Sequence, residues 1–116
     1  EIAASHAGIT ADDIIDCMVI RYEPGSLIQP HYDKGVFDRI MGLSMASDTV
    51  MVFSKPEELG GEEIAVELPR RSLFMLAGDA RFVYRHGIPR VTETRWSMSF
   101  RTLTEAGETL RASFEK

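Results

Sequence analysis

Cysteine is almost absent from this sequence: Cys17 is the only one in 116 residues. A disulfide framework and a cysteine-rich zinc site are therefore excluded within the chain, and a lone thiol fits a reducing, intracellular compartment, cytoplasmic or nuclear. Long apolar runs are missing as well. None approaches the ~20 consecutive residues of a membrane helix, so no membrane association is expected. Positive charge is in deficit, with 13 Lys and Arg against 18 Asp and Glu and a net charge of −5. That balance is too acidic for a nucleic-acid binder driven by charge alone. The opening residues Glu1–Ser5 show neither a basic nor an apolar leader pattern. The chain does not begin with methionine, and a piece trimmed from a longer protein is the expected explanation. There is no internal repeat, no low-complexity stretch, no glycine-rich phosphate loop, no Gly-x-Ser-x-Gly elbow and no His-Glu-x-x-His helix. No pattern fixes an oligomeric state.

What is present is an ordinary balance of 44% apolar and 27% charged residues, enough for one domain with one core. Thr10, followed three residues later by Asp13 and then by Ile14 and Ile15, resembles a capping box and predicts a short N-terminal helix. After it the pattern turns to short apolar or alternating runs at Cys17–Tyr22, Ser26–Tyr32, Arg39–Met45, Thr49–Ser54, Glu63–Leu68, Ser72–Ala77, Arg81–His86 and Arg95–Arg101. Turn residues separate them, among them Pro24-Gly25, Ser47-Asp48, Gly60-Gly61 and Gly78-Asp79. Eight short strands at this spacing predict a mainly β domain of sandwich or jelly-roll type. Lys55–Glu63 reads as an exposed loop, and the polar tail from Thr104 as frayed or a short final helix.

The charge is unevenly placed. Residues 1–69 hold 13 acidic and 4 basic residues, whereas residues 70–101 hold seven arginines against Asp79 and Glu93. Such a stretch could face an anionic partner, although for any one arginine a solvated strand end or an internal ion pair is the simpler reading. The last strand alternates strictly. Arg95, Ser97, Ser99 and Arg101 share one face, and Trp96, Met98 and Phe100 the other. The polar face either meets water or lines a polar cavity inside a barrel.

His31-Tyr32-Asp33, with His86 far downstream, tips the balance toward the cavity. His31 and Asp33, two residues apart on an extended segment, point the same way. With His86 they supply three ligands on one side of a divalent metal, the facial arrangement of non-haem Fe(II) oxygenases. Zinc accepts the same donors, but a hydrolytic zinc site has no use for two arginines. A guanidinium matches a carboxylate through two parallel hydrogen bonds, so iron with 2-oxoglutarate explains the full set. His6 has no companion carboxylate pattern and is assigned no role.

These residues resemble a known family. His31-Tyr32-Asp33, His86 and Arg95–Arg101 look like the H-x-D … H … R-x5-R signature of the AlkB-type Fe(II)/2-oxoglutarate dioxygenases. Arg21–Gly25, Ile40–Ser44, Leu68–Leu73, Gly78–Arg81 and His86–Ile88 extend the resemblance over about residues 17–101. Leu68–Ile88 looks most like the tRNA-modifying eukaryotic homologue. The resemblance implies a double-stranded β-helix, with Fe(II) held by His31, Asp33 and His86 as the catalytic centre and O2 as oxidant. It implies 2-oxoglutarate held at its distal carboxylate by Arg95 with Tyr22, with Ser97 beside it and Arg101 nearer the metal. The substrate it implies is an alkylated or modified base in DNA or RNA, demethylated or hydroxylated oxidatively.

Three departures qualify the expectation. Ile20 and Ser97 stand where repair-type members usually carry asparagines that help hold 2-oxoglutarate. Gly35 stands where the bacterial repair enzyme carries an acidic residue. The 116 residues are expected to be the dioxygenase core alone, without the N-terminal nucleotide-recognition lid that holds a flipped base. Two other readings follow: the same chemistry on a protein side chain or small molecule, and a non-catalytic metal-binding β-barrel module.

Overall fold

The computed structural model describes residues 11–114. A 3-10 turn at Ala11–Asp13 leads into β1 (Asp16–Tyr22), β2 (Ile28–His31), β3 (Phe37–Met45) and β4 (Thr49–Ser54). A second 3-10 turn, Glu57–Leu59, precedes β5 (Glu63–Leu68) and β6 (Ser72–Leu76). Then come a one-turn helix α1 (Asp79–Phe82), β7 (Arg85–Ile88), β8 (Arg95–Leu103) and α2 (Glu105–Phe114). The strands form two four-stranded sheets in the orders β1-β8-β3-β6 and β2-β7-β4-β5, antiparallel throughout. The chain passes repeatedly from one sheet to the other, which is the winding of a double-stranded β-helix. Among the described residues no helix is long and apolar enough to cross a membrane.

Ile40, Met51, Leu68, Leu76, Ile88 and Val91 form the core between the sheets, with Phe53 and Phe74 packed against them. Each fully buried side chain of this kind contributes about 1.5–3 kcal/mol. Except for Val91, which lies between β7 and β8, these residues sit on strands whose alternation turns them inward, and the same alternation sends Arg95, Ser97, Ser99 and Arg101 into the cavity. Trp96, by contrast, is exposed on the outer face.

Three expectations change. The predicted strand Arg81–His86 is instead α1 followed by a shorter β7 displaced toward Ile88. Gly78, at φ 57° and ψ −131°, takes a backbone conformation closed to L side chains and turns the chain into the helix. Arg81, read as a strand residue, thereby turns its side chain inward and is 1% exposed. The N-terminal helix reduces, within the described residues, to the 3-10 turn. Thr10 lies outside them, and the Ile15 N–H already donates to the Arg101 carbonyl at 3.0 Å, extending the sheet. Finally, the arginine-rich stretch is not one surface: Arg70, Arg71, Arg85 and Arg90 are exposed, whereas Arg81, Arg95 and Arg101 are buried.

Candidate active site

β2 is short and irregular, and its irregularity aims His31. Ile28 pairs with Ile88 and His31 with His86, so three steps on β2 oppose two on β7. This bulge restores His31 to the inward face, opposite His86. Pro30 lies within it and has no N–H to give to a ladder. Gly87 makes the close approach possible, because a Cβ there would lie 2.8 Å from the Ile28 carbonyl oxygen and 3.0 Å from the Pro30 nitrogen. Asp33 lies beyond the end of β2, in the turn before β3, so the period of two is not what brings it in.

The three side chains converge. His31 Nε2 is 3.5 Å from Asp33 Oδ1 and His86 Nε2 is 3.6 Å from Asp33 Oδ2. One donor atom from each residue lies within 4.8 Å of the others. Bonds of ~2.1 Å at right angles around one ion put neighbouring donors ~3 Å apart, so small side-chain adjustments close the set on a cation. His31 Nδ1 lies 2.8 Å from the Gln29 carbonyl oxygen. Donation there fixes the Nδ1–H tautomer and leaves the Nε2 lone pair for a metal. Burial is the main cause that lowers His86 to about 4, against the opposing pull of Asp33 and with smaller contributions from His31, Arg81 and Arg101. Its imidazole is neutral at pH 7, as a ligand must be. The donor set, two imidazoles and a carboxylate on one side, fits Fe(II) with open positions left for substrate and O2.

A cavity of about 360 Å3 runs from these side chains along β1 and β8. The register places Tyr22 opposite Arg95, Ile20 opposite Ser97 and Met18 opposite Ser99, giving an apolar stripe beside a polar one. Arg95 is 2% exposed. Its Nε donates to Ser44 Oγ at 3.0 Å, and its guanidinium carbon lies 5.2 Å from the centre of the Tyr22 ring. Among the described residues no carboxylate lies within ion-pair distance of it. Burial works against the Arg95 charge and against ionisation of Tyr22 alike, each opposed by the other's presence. A buried cation without a counter-ion is costly, and an anion entering the cavity relieves that cost.

Arg101 differs. Its Nη1 donates to Asp16 Oδ2 at 3.1 Å and lies 3.3 Å from Ser99 Oγ. Its charge bears on His86, Arg81 and Tyr22 alike. All seven residues singled out in the sequence, His31, Asp33, His86, Tyr22, Arg95, Ser97 and Arg101, line this one cavity.

Three participants escaped the sequence reading. Asp16 was visible in principle, because extending the β1 alternation back by one step puts it on the Met18, Ile20 and Tyr22 face. Ser44, fully buried against Arg95, carries no local signal. Arg81 was hidden by the mistaken strand.

Known proteins resemble this chain in sequence and in fold. Residues 1–113 match the 2OG-Fe(II) oxygenase superfamily. The uncharacterized protein L905 of Acanthamoeba polyphaga mimivirus is 34% identical over 110 residues, covering 79% of this chain and 52% of that protein. The mouse tRNA (carboxymethyluridine(34)-5-O)-methyltransferase ALKBH8 is 43% identical over 77 residues, covering 64% of this chain and 11% of that protein. The chain thus spans about half of the viral relative and a small part of the mouse one. The solved structure of OsALKBH1 superposes with a TM-score of 0.61 at 17% identity, covering 74% of this chain and 47% of that one, a likeness of fold.

Proposed function

The chain belongs to the 2OG-Fe(II) oxygenase superfamily and is of its AlkB type; from that premise we propose that it is a dioxygenase core acting on alkylated or modified bases in nucleic acid. The observation that carries the reading is one cavity shared by the His31–Asp33–His86 set and a buried arginine with no acidic partner among the described residues. In this reading His31, Asp33 and His86 hold Fe(II), which, when bound, couples decarboxylation of 2-oxoglutarate by O2 to oxidation of a substrate C–H bond. Arg95 takes the distal carboxylate of 2-oxoglutarate through the N–H groups that Ser44 leaves free, and the un-ionised Tyr22 hydroxyl assists. Ser97 offers a hydroxyl between them, and Arg101 lies at the metal end. Ile20, Ile28 and Ile88 keep the walls apolar, which strengthens each charged contact inside.

The nucleic-acid part rests on the AlkB homologues and on the rim of the site. His31 opens to solvent beside exposed Tyr32, whose ring lies 5.8 Å from the Arg85 guanidinium carbon, and Lys34 is exposed nearby. An aromatic face and cations suit a base and its phosphate. The net acidity and the burial of three of the seven arginines favour a second reading, the same chemistry on a protein side chain or small molecule. Exposed Cys17, the one cysteine, accords with an intracellular setting.

The test begins under anaerobic conditions. Fe(II) followed by 2-oxoglutarate should produce a visible absorption band, and admission of O2 should then yield succinate. Methylated DNA, methylated RNA and tRNA, each read by mass spectrometry, should raise succinate formation above its level without substrate. Succinate formation that no nucleic acid raises would favour the second reading. A tightly bound metal with no succinate would leave a binding module.

A further inference from the structure

We propose that Arg81 is a positioning residue of the metal site: from α1 it clamps the backbone turn that carries Asp33, setting the carboxylate between the two imidazoles. Asp33 needs such a device. His31 ends β2 and Phe37 begins β3, so Asp33 lies in a segment without a strand partner. The Phe37 N–H donates back to the Lys34 carbonyl at 3.0 Å, which closes a turn but does not anchor it to the rest of the molecule. The Thr104 N–H holds the far end of the turn by donating to the Val36 carbonyl at 2.8 Å, and Arg81 anchors the end that carries Asp33. Its Nη2 lies 3.3 Å from the Asp33 carbonyl oxygen, 2.6 Å from that of Lys34 and 2.9 Å from that of Phe37. One planar nitrogen thus gathers three carbonyls, one of which, that of Lys34, already accepts from the Phe37 N–H.

The clamp also couples two ligands. Arg81 precedes β7, which carries His86, so it ties the Asp33 turn to the segment that supplies the third ligand. The Tyr32 hydroxyl repeats the tie by donating to the Val83 carbonyl at 2.9 Å. Packing holds the guanidinium in place, with its carbon 4.6 Å from the centre of the Phe82 ring. Its Nε is buried without a hydrogen-bond partner. A buried arginine that spends its fork on carbonyls and leaves one donor unpaired is costly for packing alone. The cost is explained if the geometry of the Asp33 turn is what it secures. Groups behind a ligand commonly govern metal affinity in this way.

The inference rests on the reading of His31, Asp33 and His86 as metal ligands, and the test separates the two. Metal-free protein is titrated with Co(II), followed by visible absorption, and amide hydrogen exchange is measured without metal. Arg81→Met, which keeps the stem and removes the fork, should weaken Co(II) binding about 10- to 100-fold and speed exchange between Asp33 and Phe37. Arg81→Lys, which keeps the charge and loses the fork, should fall between the two. It also serves if the methionine variant does not fold. Val91→Ala, a core truncation outside the clamp, supplies a matched loss of Tm and should leave Co(II) binding within about two-fold. Wild-type Co(II) affinity in the folded Arg81 variants, or an equal loss in Val91→Ala, overturns the positioning role. A wild-type protein that takes up no Co(II) overturns the metal reading itself.

Discussion

The two walls of the cavity are built by different means. On the β1–β8 side every residue facing the interior is fixed by a ladder: β8 pairs along nearly its whole length with β1 on one edge and β3 on the other. Arg95, Ser97, Ser99 and Arg101 therefore follow from a single alternation. On the metal side His31 sits at the end of a four-residue bulged strand with its side chain 41% exposed, and Asp33 belongs to no strand. Backbone pairing sets the direction of every side chain in the first wall, and the Arg95–Ser44 and Arg101–Asp16 contacts then hold the two guanidinium groups. The second depends on side-chain ties and on whatever cation joins its three donors. The walls should accordingly be separable by mutation, because residues without shared partners contribute independently.

Removing the central donor of the proposed metal set should have the largest effect. Asp33→Ala takes away the one carboxylate between the two imidazoles and should abolish both stoichiometric Fe(II) binding and succinate formation. The β1–β8 wall should remain folded, visible as an unchanged near-ultraviolet spectrum from Tyr22 and Trp96. Metal binding that survives in Asp33→Ala would break the assignment of the three donors.

Acid should distinguish the walls next. His86 has its folded value lowered to about 4, below the ordinary 6.5, so the folded state binds fewer protons than the unfolded chain between those values. The stability this confers is complete above pH 6.5, declines as pH falls and is gone near pH 4. Two and a half pH units correspond to a loss on the order of 3 kcal/mol. Arg95 and Tyr22 keep their charge states throughout that window, since an arginine stays protonated and burial only raises Tyr22 further. Thermal unfolding of metal-free protein between pH 7.5 and 4 should show the decline. His86→Asn should flatten it, whereas Arg95→Ala should not.

Arg95→Ala probes the opposite wall. Losing a charge-assisted contact to the distal carboxylate should raise the 2-oxoglutarate requirement about 10- to 100-fold, while Fe(II) binding stays within about two-fold of wild type. An unchanged requirement would remove Arg95 from its role. A parallel loss of iron would show that the walls are coupled after all.

The same division explains what the sequence made legible. The β1–β8 wall could be read because the alternation of Arg95–Arg101 survives folding intact, and polar residues on one parity with Trp96, Met98 and Phe100 on the other admit few arrangements. His31, Asp33 and His86 were legible as chemistry, through residue types and the resemblance they carry, but not as geometry. The bulge at Pro30 and the turn at Asp33 depend on contacts with β7 and α1, which no local pattern encodes. The mistaken strand at Arg81–His86 has the same origin. Its alternation is compatible with extension, yet Gly78 and the burial of the Arg81 fork against the Asp33 turn favour one turn of helix. Tertiary contacts decide such segments, and a window of six residues does not contain them.

The smallest expected effect tests whether the ladder wall was built for the co-substrate at all. Ile20 lies on β1 opposite Ser97, half-buried, on the same inward face as Tyr22 and Met18. Repair-type relatives by resemblance carry asparagine there. An amide at that position offers a donor to a carboxylate already facing Arg95, at the expense of apolar contact in the empty protein. A hydrogen bond of this kind is worth about 0.5–1.5 kcal/mol, so Ile20→Asn should lower the 2-oxoglutarate requirement about two- to ten-fold and lower the Tm of the metal-free chain. The opposing signs are the point of the experiment: packing alone predicts the second without the first. A requirement that rises with the loss of stability would mean that β1 serves the cavity as an apolar wall and that Arg95, Tyr22 and Ser97 hold the co-substrate without it.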